Sequence, residues 1–353
     1  MARLAYRLMP LPGGGFHLGR EGLDQEVSSE TFPSDSFFAA LVAAQVARDG
    51  PAAVQAFIES PPRLSSLFPC AGMLLLFPMP RLRVNLGDAR HPGVSKTLKK
   101  LQYVSPTILG HLLKGAAMDS WLPQGGNNAK GVLLQDGRVW IARHEIQSLP
   151  AEWHKLDDEA LKARRIWQAQ RVPRVTIDRV NNSSQIYHVG RTTFAPDCGL
   201  WFLADVSYDE EAFYDLLLHL ADSGIGGERS AGYGAFKIEP LEPPDLPPPG
   251  GAPRVMTLSR YNPTPQEWAA GVLGGQASYE LVDVGGWLAS PEGPAQRRKR
   301  VRMVEAGSIL AAPVPITGRV VDVRPEYDQP GAPEHPVYRS GIALTIGVSG
   351  GGD

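Results

Sequence analysis

A glycine-rich segment, GIGGERSAGYGAF, constrains the fold most: residues 224–236 hold five glycines in thirteen positions. It directly follows residues 210–223, whose apolar side chains recur on one stripe as in an amphipathic helix. Gly224 is placed to end that helix, and residues 235–239 resume as a strand. Nucleotide-binding glycine loops run from strand to helix, so that a phosphate meets the helix N-terminus. The reversed order here disfavours a mononucleotide site and leaves two interpretations: contact with a nucleic-acid backbone, or a connection that serves only tight packing.

Four further elements precede this segment. Residues 2–8 alternate in polarity and predict a half-buried strand, and residues 34–49 predict a helix capped by Ser34 or Asp35. Short apolar runs at 72–77 and 199–206 predict buried strands. The resulting order, strand–helix–strand–strand–helix–strand, is that of the ferredoxin-like fold, which RNA-recognition domains share. Residues at about 80–196 form a long insertion between the second and third strands, and such excursions tend to be functional.

A proline-rich stretch, LEPPDLPPPGGAP at 241–253, predicts a linker between domain 1–240 and a second domain at 254–353. The second domain has a capping box at 264–267 and candidate strands at 254–260, 279–288, 301–304, 308–312, 319–323 and 338–346. A second helix is not evident. We therefore expect an α+β protein of two ferredoxin-like (RRM-like) domains, the first with the long insertion.

Charge is distributed unevenly, although the net charge is only −2. Two stretches, 81–114 and 161–191, each carry seven cations against one acid, and could hold a polyanion on one face. The alternative is that these cationic side chains are scattered over the surface and contact only water. Two cysteines cannot form a disulfide framework or a four-ligand zinc site, and no histidine has metal-ligand spacing, so we expect no cofactor. The chain shows neither a signal-peptide pattern nor a membrane-spanning run of about 20 apolar residues, and we expect a cytoplasmic protein.

Three further motifs remain open. His17, flanked by glycines after the first strand, is either a structural histidine, a general base or a platform for a nucleobase. The cationic run 297–300 suits a solvated hairpin tip and a nucleic-acid or partner contact equally well. Residues 347–351 fit the G-x-S-x-G nucleophile pattern, but no helix follows to form the elbow, so we expect a disordered tail.

Several segments together resemble the fourth subunit of the Csm complex, a RAMP protein of type III-A CRISPR systems in the Cas-five group. They are FHLGREG (16–22), FPSDSFFAAL (32–41), FPCAGMLLLFPMPRL (68–82), SKTLKKLQYVS (95–105), RVTIDRVNNSSQIYHVGRTTF (174–194), the glycine-rich segment, and VGGWLAS, EAGSIL and HPVYRSG in the second domain. They occur in order over nearly the whole chain. One departure is Ala231, which stands where the family loop often carries a further cation.

The resemblance implies two ferredoxin-like domains in a non-enzymatic RNA-binding subunit. Such a subunit would grip the repeat-derived handle at the five-prime end of the CRISPR RNA. It would cap the filament of backbone RAMP subunits, dock the large polymerase-like subunit, and meet target RNA at the guide boundary through a thumb-like hairpin of the insertion. We place that thumb around residues 94–103.

The predicted RNA-binding residues combine phosphate donors with base platforms. They are His17, Arg20, Ser34, Lys96, Lys99, Lys100, Arg174, Arg179, Arg191, Gly226, Gly227, Arg229, Ser230 and Tyr233. Among them, His17 and Tyr233 would stack bases. A rival hypothesis is a metal-independent endoribonuclease that matures CRISPR RNA, with His17 or His188 as the base and Lys96, Lys99 or Arg179 stabilising the transition state. The equivalent subunit of a type III-B complex is a lesser alternative.

Overall fold

The computed structural model describes residues 2–19, 26–87, 94–123, 129–177, 184–290, 293–325 and 335–350. It shows a mixed α/β protein with several antiparallel sheets. The α-helices are α1 (Ser34–Asp49), α2 (Ala53–Glu59), α3 (Val94–Lys100), α4 (Pro106–Leu113), α5 (Asp158–Ala163), α6 (Glu210–Ser223) and α7 (Pro265–Ala269).

The strands are β1 (Ala2–Pro10), β2 (Arg63–Leu64), β3 (Phe68–Ala71), β4 (Leu74–Leu75), β5 (Phe77–Pro78), β6 (Tyr103–Val104), β7 (Gly131–Leu134), β8 (Val139–Ala142), β9 (Trp167–Ile177), β10 (Ser184–Phe194), β11 (Cys198–Val206), β12 (Phe236–Leu241), β13 (Arg254–Thr257), β14 (Leu281–Val284), β15 (Trp287–Ser290), β16 (Gly293–Arg297), β17 (Val301–Val304), β18 (Ile309–Ala311), β19 (Val320–Asp322), β20 (Tyr338–Ser340) and β21 (Thr345–Val348).

The N-terminal sheet has the strand order β12–β1–β11–β3–β4, with neighbouring strands antiparallel. Helices α1 and α6 pack on one of its faces, where Phe37 and Phe213 contribute to a core that includes Phe202 of β11. The helices predicted at 34–49 and 210–223 are confirmed, and their apolar side chains face this core. The predicted cap by Ser34 or Asp35 is wrong, because Pro33 is the N-cap and both residues lie within the first turn. The other face of the sheet, with Trp201, packs on the core of the insertion.

The predicted single strand at 72–77 is wrong. Gly72 adopts a φ of +59°, which a strand does not allow, and the chain turns there between β3 and β4. Strand β5 then leaves this sheet and pairs with β6 in a separate four-stranded sheet, β5–β6–β8–β7. The apolar run therefore divides between two sheets, which its hydrophobicity alone does not reveal.

The insertion contains a compact core and one long hairpin. The core buries Trp140 and Trp153 beside the four-stranded sheet, and it also buries Val94 and Tyr103. Strands β9 and β10, 11 residues each, pair in register along their whole length and are mostly exposed. The predicted hairpin around 94–103 is wrong: this segment forms α3 and the start of β6, with Val94 and Tyr103 buried at its ends, and the elongated hairpin of the insertion is β9–β10.

The C-terminal part has the three-stranded sheet β18–β13–β21 and three two-stranded pairs, β14–β17, β15–β16 and β19–β20. Predicted strands at 279–288 and 338–346 each divide in two, because their halves pair with different partners. The expectation of a disordered tail is also wrong for the described residues up to 350. Strand β21 extends to Val348, and the amides of Ser349 and Gly350 donate to the carbonyl oxygen of Leu113.

The two halves of the chain meet at a buried ionic cluster. Asp35, fully buried in the first turn of α1, accepts a hydrogen bond from Arg260 at 3.0 Å. Arg260 also donates to Glu305 at 3.0 Å, and Arg339 donates to the Asp35 carbonyl oxygen at 3.2 Å. The hydroxyl of Ser34 accepts the Arg260 amide at 2.8 Å. Because Asp35 lies near the start of the chain and both arginines lie beyond residue 254, this cluster links the N-terminal and C-terminal halves of the chain.

The predicted capping box at the start of α7 is confirmed. The Thr264 hydroxyl accepts the amide of Glu267 at 3.2 Å, and the Glu267 carboxylate accepts the Thr264 amide at 2.7 Å. That carboxylate also accepts the amides of Thr317 and Gly318. Burial by itself would raise the pKa of Glu267, but these backbone donors outweigh it and the pKa lies below its usual value.

We therefore expect Glu267→Gln to lower the free energy of unfolding at neutral pH by about 2 kcal/mol, the size of a charged hydrogen bond. Because the folded-state pKa is depressed, the contribution of the carboxylate is present above its unfolded pKa of about 4.3 and is lost as pH falls through the folded value. Urea unfolding of both proteins at neutral and acidic pH checks this. A stability difference that stays constant with pH would contradict it.

Candidate nucleic-acid interface

The glycine-rich loop, residues 224–235, is held in shape by its own backbone. Gly226, Gly232 and Gly234 have φ values of +83°, +84° and +91°, a region that side chains rarely occupy. At Gly226, an added Cβ would also collide with the carbonyl oxygen of His17. A short 3-10 turn, Arg229–Ala231, projects between these glycines. The glycines thus create a tight loop whose tip is the Arg229 turn.

Two other segments pack against this loop. The amide of Gly227 donates to the His17 carbonyl oxygen at 2.9 Å, and the amide of Gly234 donates to the Gly15 carbonyl oxygen at 2.9 Å. Phe16 in turn forms a bridge to Thr192 of β10. Residues 13–19, the glycine-rich loop and the hairpin β9–β10 therefore form one continuous surface, which we call the loop–hairpin surface.

The ring of His17 helps to hold this surface together. It is 9% exposed, and its Nδ1 donates to the carbonyl oxygen of Gly190 at 2.8 Å. An added Cβ at Gly227 would lie 2.7 Å from the imidazole carbon Cδ2, so Gly227 packs closely on the ring. This geometry gives His17 a positioning role between loop and hairpin, with little ring surface left for a nucleobase.

Tyr233 orients two arginines of the hairpin. The guanidinium carbons of Arg174 and Arg191 lie 5.3 and 5.4 Å from the centroid of its ring, within cation–π range. Interaction with the Tyr233 hydroxyl raises the pKa of Arg174. The ring is 7% exposed, so the expectation that Tyr233 stacks a base is corrected: it is covered, and it presents the arginines instead.

Arg191 is further fixed by donating to the carbonyl oxygens of Gly13 and Gly14. The Nε atoms of both arginines are buried without a hydrogen-bond partner among the described residues. Arg229 and Ser230, at the loop tip, are exposed, and no described residue pairs with the Arg229 guanidinium. The fixed guanidiniums of Arg174 and Arg191 therefore lie beside the exposed Arg229 at the loop tip, and Glu228 is the nearby acid.

The two faces of the hairpin differ in character. Opposite residues share a face, and one face carries the pairs Arg174–Tyr187 and Thr176–Gln185. Thr176, Gln185, Tyr187 and Glu228 line a depression of about 390 Å³ beside the loop. The sequence analysis missed Tyr187, whose signal was its place directly opposite Arg174 once the hairpin register is known. The polar face therefore offers an aromatic ring next to a cation.

The other face of the hairpin is apolar toward its far end. Val175, Ile177 and Ile186 are 55%, 63% and 66% exposed, with Val175 directly opposite Ile186. Nearer the base, Arg171 forms an ion pair with Glu26 at 3.1 Å. Exposed β-branched side chains on a projecting strand pair are unusual for a surface in water and indicate contact with an apolar or planar group.

The remaining predicted residues lie elsewhere. Ser34 is corrected: it is buried at the domain junction and bonded there, so it cannot reach RNA. Likewise, the Gly227 amide is occupied by His17 and is not available to a phosphate. Lys96, Lys99 and Lys100 are exposed on α3, and no described contact links them to the loop–hairpin surface. Arg20 and Arg179 lie outside the described residues.

A larger groove of about 1450 Å³ runs between the two halves of the chain and includes Lys99. Its charges are mixed: Arg81 is paired with Glu280, and Arg260 is paired with Glu305. Asp283 and Glu30 also line it. Because four acids line the groove beside its four cations, it suits a polyanion less well than the loop–hairpin surface.

The arrangement needed for RNA cleavage is not assembled by the described contacts. His188 lies 3.9 Å from Glu26, and no described contact brings Lys96 or Lys99 to either His17 or His188. No helix in the described part of the chain is long and apolar enough to cross a membrane. Within the same residues, no cluster of three or more His, Cys, Asp or Glu is placed to hold a metal ion.

Comparison with known proteins supports the family resemblance. Residues 251–348 match the family model described as the CRISPR Csm4 C-terminal domain. A relative from Mycobacterium tuberculosis (strain ATCC 25618 / H37Rv), named CRISPR system Cms protein Csm4, is 28% identical over 329 residues, covering 91% of each chain. A protein of the same name from Methanocaldococcus jannaschii is 25% identical over 347 residues, covering 91% of this chain and 89% of its own.

Solved structures share the fold at low identity. A chain of the Csm3–Csm4 subcomplex of the type III-A CRISPR-Cas interference complex superimposes with a TM-score of 0.61 at 20% identity, covering 97% of this chain and 98% of that one. A chain of a Csm1–Csm4 cassette bound to pppApA gives a TM-score of 0.56 at 18% identity, covering 99% of both. The chain is thus similar to proteins named Csm4 over nearly their full length, and its C-terminal part matches the Csm4 C-terminal domain model.

Proposed function

We propose that this protein is a non-catalytic RNA-binding subunit of a type III-A CRISPR effector complex that grips the five-prime handle of the CRISPR RNA at the loop–hairpin surface. The observation that carries the proposal is the pair Arg174 and Arg191, held by Tyr233 beside the exposed Arg229 turn. Guanidiniums fixed in this way match phosphate geometry with little loss of side-chain freedom on binding.

On this proposal, phosphates of the handle lie along Arg174, Arg191 and Arg229, and a base enters the depression lined by Tyr187. Stacking on the Tyr187 ring supplies sequence-tolerant affinity, while Thr176 and Gln185 supply hydrogen-bonding groups at the edge of the base. Ser230 contributes its hydroxyl at the loop tip. The α3 lysines would contact a more distant part of the RNA path, and contacts of Arg20 and Arg179, which lie outside the described residues, stay predictions.

The apolar end of hairpin β9–β10 is the thumb. Val175, Ile177 and Ile186 present a flat, water-exposed edge that can stand between stacked bases and displace one nucleotide where guide pairing with target RNA begins. Pairing itself would carry the sequence specificity of the guide, as in other RNA-guided effectors. This places the handle on one face of the hairpin and the guide boundary at the other.

The partners follow from the family. The similar solved structures are of complexes with Csm3 and with Csm1. We infer that this chain caps a filament of backbone RAMP subunits of the Csm3 type and docks a large polymerase-like subunit of the Csm1 type. The type III-B equivalent remains the lesser alternative, and the large subunit that co-purifies with the chain distinguishes the two.

The domain organisation belongs to the same proposal. The sheet order β12–β1–β11–β3 with α1 and α6 on one face supports a ferredoxin-like domain at 1–240 that carries the insertion at about 80–196. The segment 241–253 then leads to a second domain at 254–353. For the second domain, a ferredoxin-like origin is the family expectation, with α7 as the α-helix that the structure describes there.

Arg229→Ala tests the loop directly. We expect several-fold weaker binding of a labelled handle RNA, and a plot of log affinity against log salt that is shallower by about 0.7, the value for one phosphate on a single strand. Fluorescence anisotropy at several salt concentrations measures both quantities. Arg48→Ala, at the end of α1 and paired with Asp49, is the charge-matched control. Unchanged affinity at every salt concentration would count against the loop.

Incubation with a labelled repeat RNA separates this proposal from the endoribonuclease hypothesis. We expect protection of the handle without cutting. Site-specific cleavage that His17→Ala or His188→Ala abolishes would overturn the non-catalytic assignment, provided that the variant unfolds at the same temperature as the parent protein.

A further inference from the structure

The hairpin β15–β16 in the C-terminal domain has one outward and one inward face. Trp287 pairs directly opposite Arg297, and Leu288 pairs opposite Gln296. Gln296 is buried, so its face of the hairpin turns toward the protein, whereas Trp287 is 63% exposed. Because opposite residues share a face, Trp287 and Arg297 both point outward.

Trp287 and Arg297 form a defined pair. The guanidinium carbon of Arg297 lies 5.0 Å from the centroid of the indole ring, which is within cation–π range. This contact holds the indole upright on the hairpin and leaves most of its surface in water.

Positive charge continues along the chain from this pair. Arg300 is exposed and Lys299 half-buried, and Arg298 is fixed by donating its Nε to the carbonyl oxygen of Gly285 at 2.6 Å. The nearby acid Asp283 is engaged by Arg302 at 2.9 Å. Asp283 also interacts electrostatically with Arg300. The outward face of the hairpin therefore carries one indole and the Arg297 guanidinium, and three further cations follow along the chain.

We infer that Trp287, Arg297 and Arg300 form a second contact for single-stranded nucleic acid, separate from the loop–hairpin surface. A base stacks on the exposed indole, and the arginines contact the flanking phosphates, which gives binding with little sequence preference. Protein interfaces also use Trp and Arg. The four consecutive cations at 297–300, however, match the charge of a polyanion, which favours RNA over a protein partner. This site lies in the other half of the chain and does not depend on handle recognition.

The test uses the full chain and a fluorescein-labelled oligouridylate without the handle sequence. Trp287→Ala is expected to bind it about tenfold more weakly, the loss of one stacked base, and Trp287→Phe to keep most of the affinity. Arg297→Ala should reduce the log–log salt slope by about 0.7. Trp268→Ala is the matched control, because Trp268 on α7 is 66% exposed and no described cation lies over its ring. It should bind as the parent protein does.

Wild-type affinity in Trp287→Ala would overturn the inference, and so would an equal loss in Trp268→Ala. Unchanged RNA binding combined with failure to co-purify with partner subunits would show a protein interface instead. Thermal unfolding of each variant identifies losses that come from misfolding. If Trp287→Ala does not fold, the salt slope of Arg297→Ala decides. Arg229→Ala, measured in parallel on the handle RNA, tests the loop–hairpin surface independently.

Discussion

Replacing Arg174 and Arg191 together by alanine is expected to weaken binding of the handle RNA roughly 100-fold, about tenfold for each lost phosphate contact. The salt slope should fall by about 1.4, because two phosphates are no longer neutralised. The effect should exceed that of Arg229→Ala, because Tyr233 and the Gly14 carbonyl oxygen hold these arginines in place before RNA arrives.

Three further variants sharpen the result. Arg165→Ala removes an exposed arginine of the same insertion that is paired with Asp136 at 2.7 Å, and it should bind the handle normally. Tyr233→Phe keeps the ring and should retain most binding, whereas Tyr233→Ala should lose nearly as much as the double variant. If Arg165→Ala were as defective as the double variant, the arginines would act only through overall charge, and the loop–hairpin surface would lose its special role.

Asp35→Ala is expected to lower the free energy of unfolding by about 3–5 kcal/mol, the range measured when one partner of a buried ion pair is removed. Asp35 is fully buried, and both Arg260 and Arg339 reach it from the second domain. Without the carboxylate, Arg260 keeps Glu305, but Arg339 loses its acidic neighbour in an interior position. Urea unfolding followed by tryptophan fluorescence measures the loss.

Asp49→Ala provides the control on the same helix. Asp49 lies at the solvent-exposed end of α1 and pairs with Arg48 at 2.8 Å, so its removal should change the unfolding free energy by less than about 1 kcal/mol. Equal stability of the two variants would show that the buried cluster does not fix the domain junction. If Asp35→Ala unfolded at the normal midpoint but assembled more weakly with partner subunits, this result would also show that the buried cluster does not fix the junction.

Local patterns predicted the secondary structure best where one apolar face decides it. Helices α1 and α6 begin and end where their periodicity and glycine signals place them. Patterns failed where pairing with neighbouring strands sets the strand boundaries. Residues 338–346 were predicted as one strand, but β20 pairs with β19 and β21 pairs with β13. The choice of partner strand depends on residues far away in sequence, so no local window contains it.

The site shows the same limit at the level of side chains. The glycine-rich loop was predicted from composition, because positive φ values restrict residue type, whereas the phosphate contacts of the insertion arginines stay a prediction. The covered ring of Tyr233 and the burial of Ser34 depend on the packing of distant segments. The lysine-rich segment 95–100 had the composition of a thumb, yet Val94 and Tyr103 anchor it in a core. Exposure was the property that the sequence could not supply.

The most direct measurement is site-specific cross-linking within the assembled complex. A photoreactive amino acid introduced at Ser230, at the exposed tip of the loop, should cross-link to nucleotides of the five-prime handle. The same group at Gln55, exposed on α2, should give no handle cross-link. Cross-links from Ser230 that map to the handle support the loop–hairpin surface as its binding site. Absence of RNA cross-links at Ser230, with handle cross-links from another face of the protein, would contradict it.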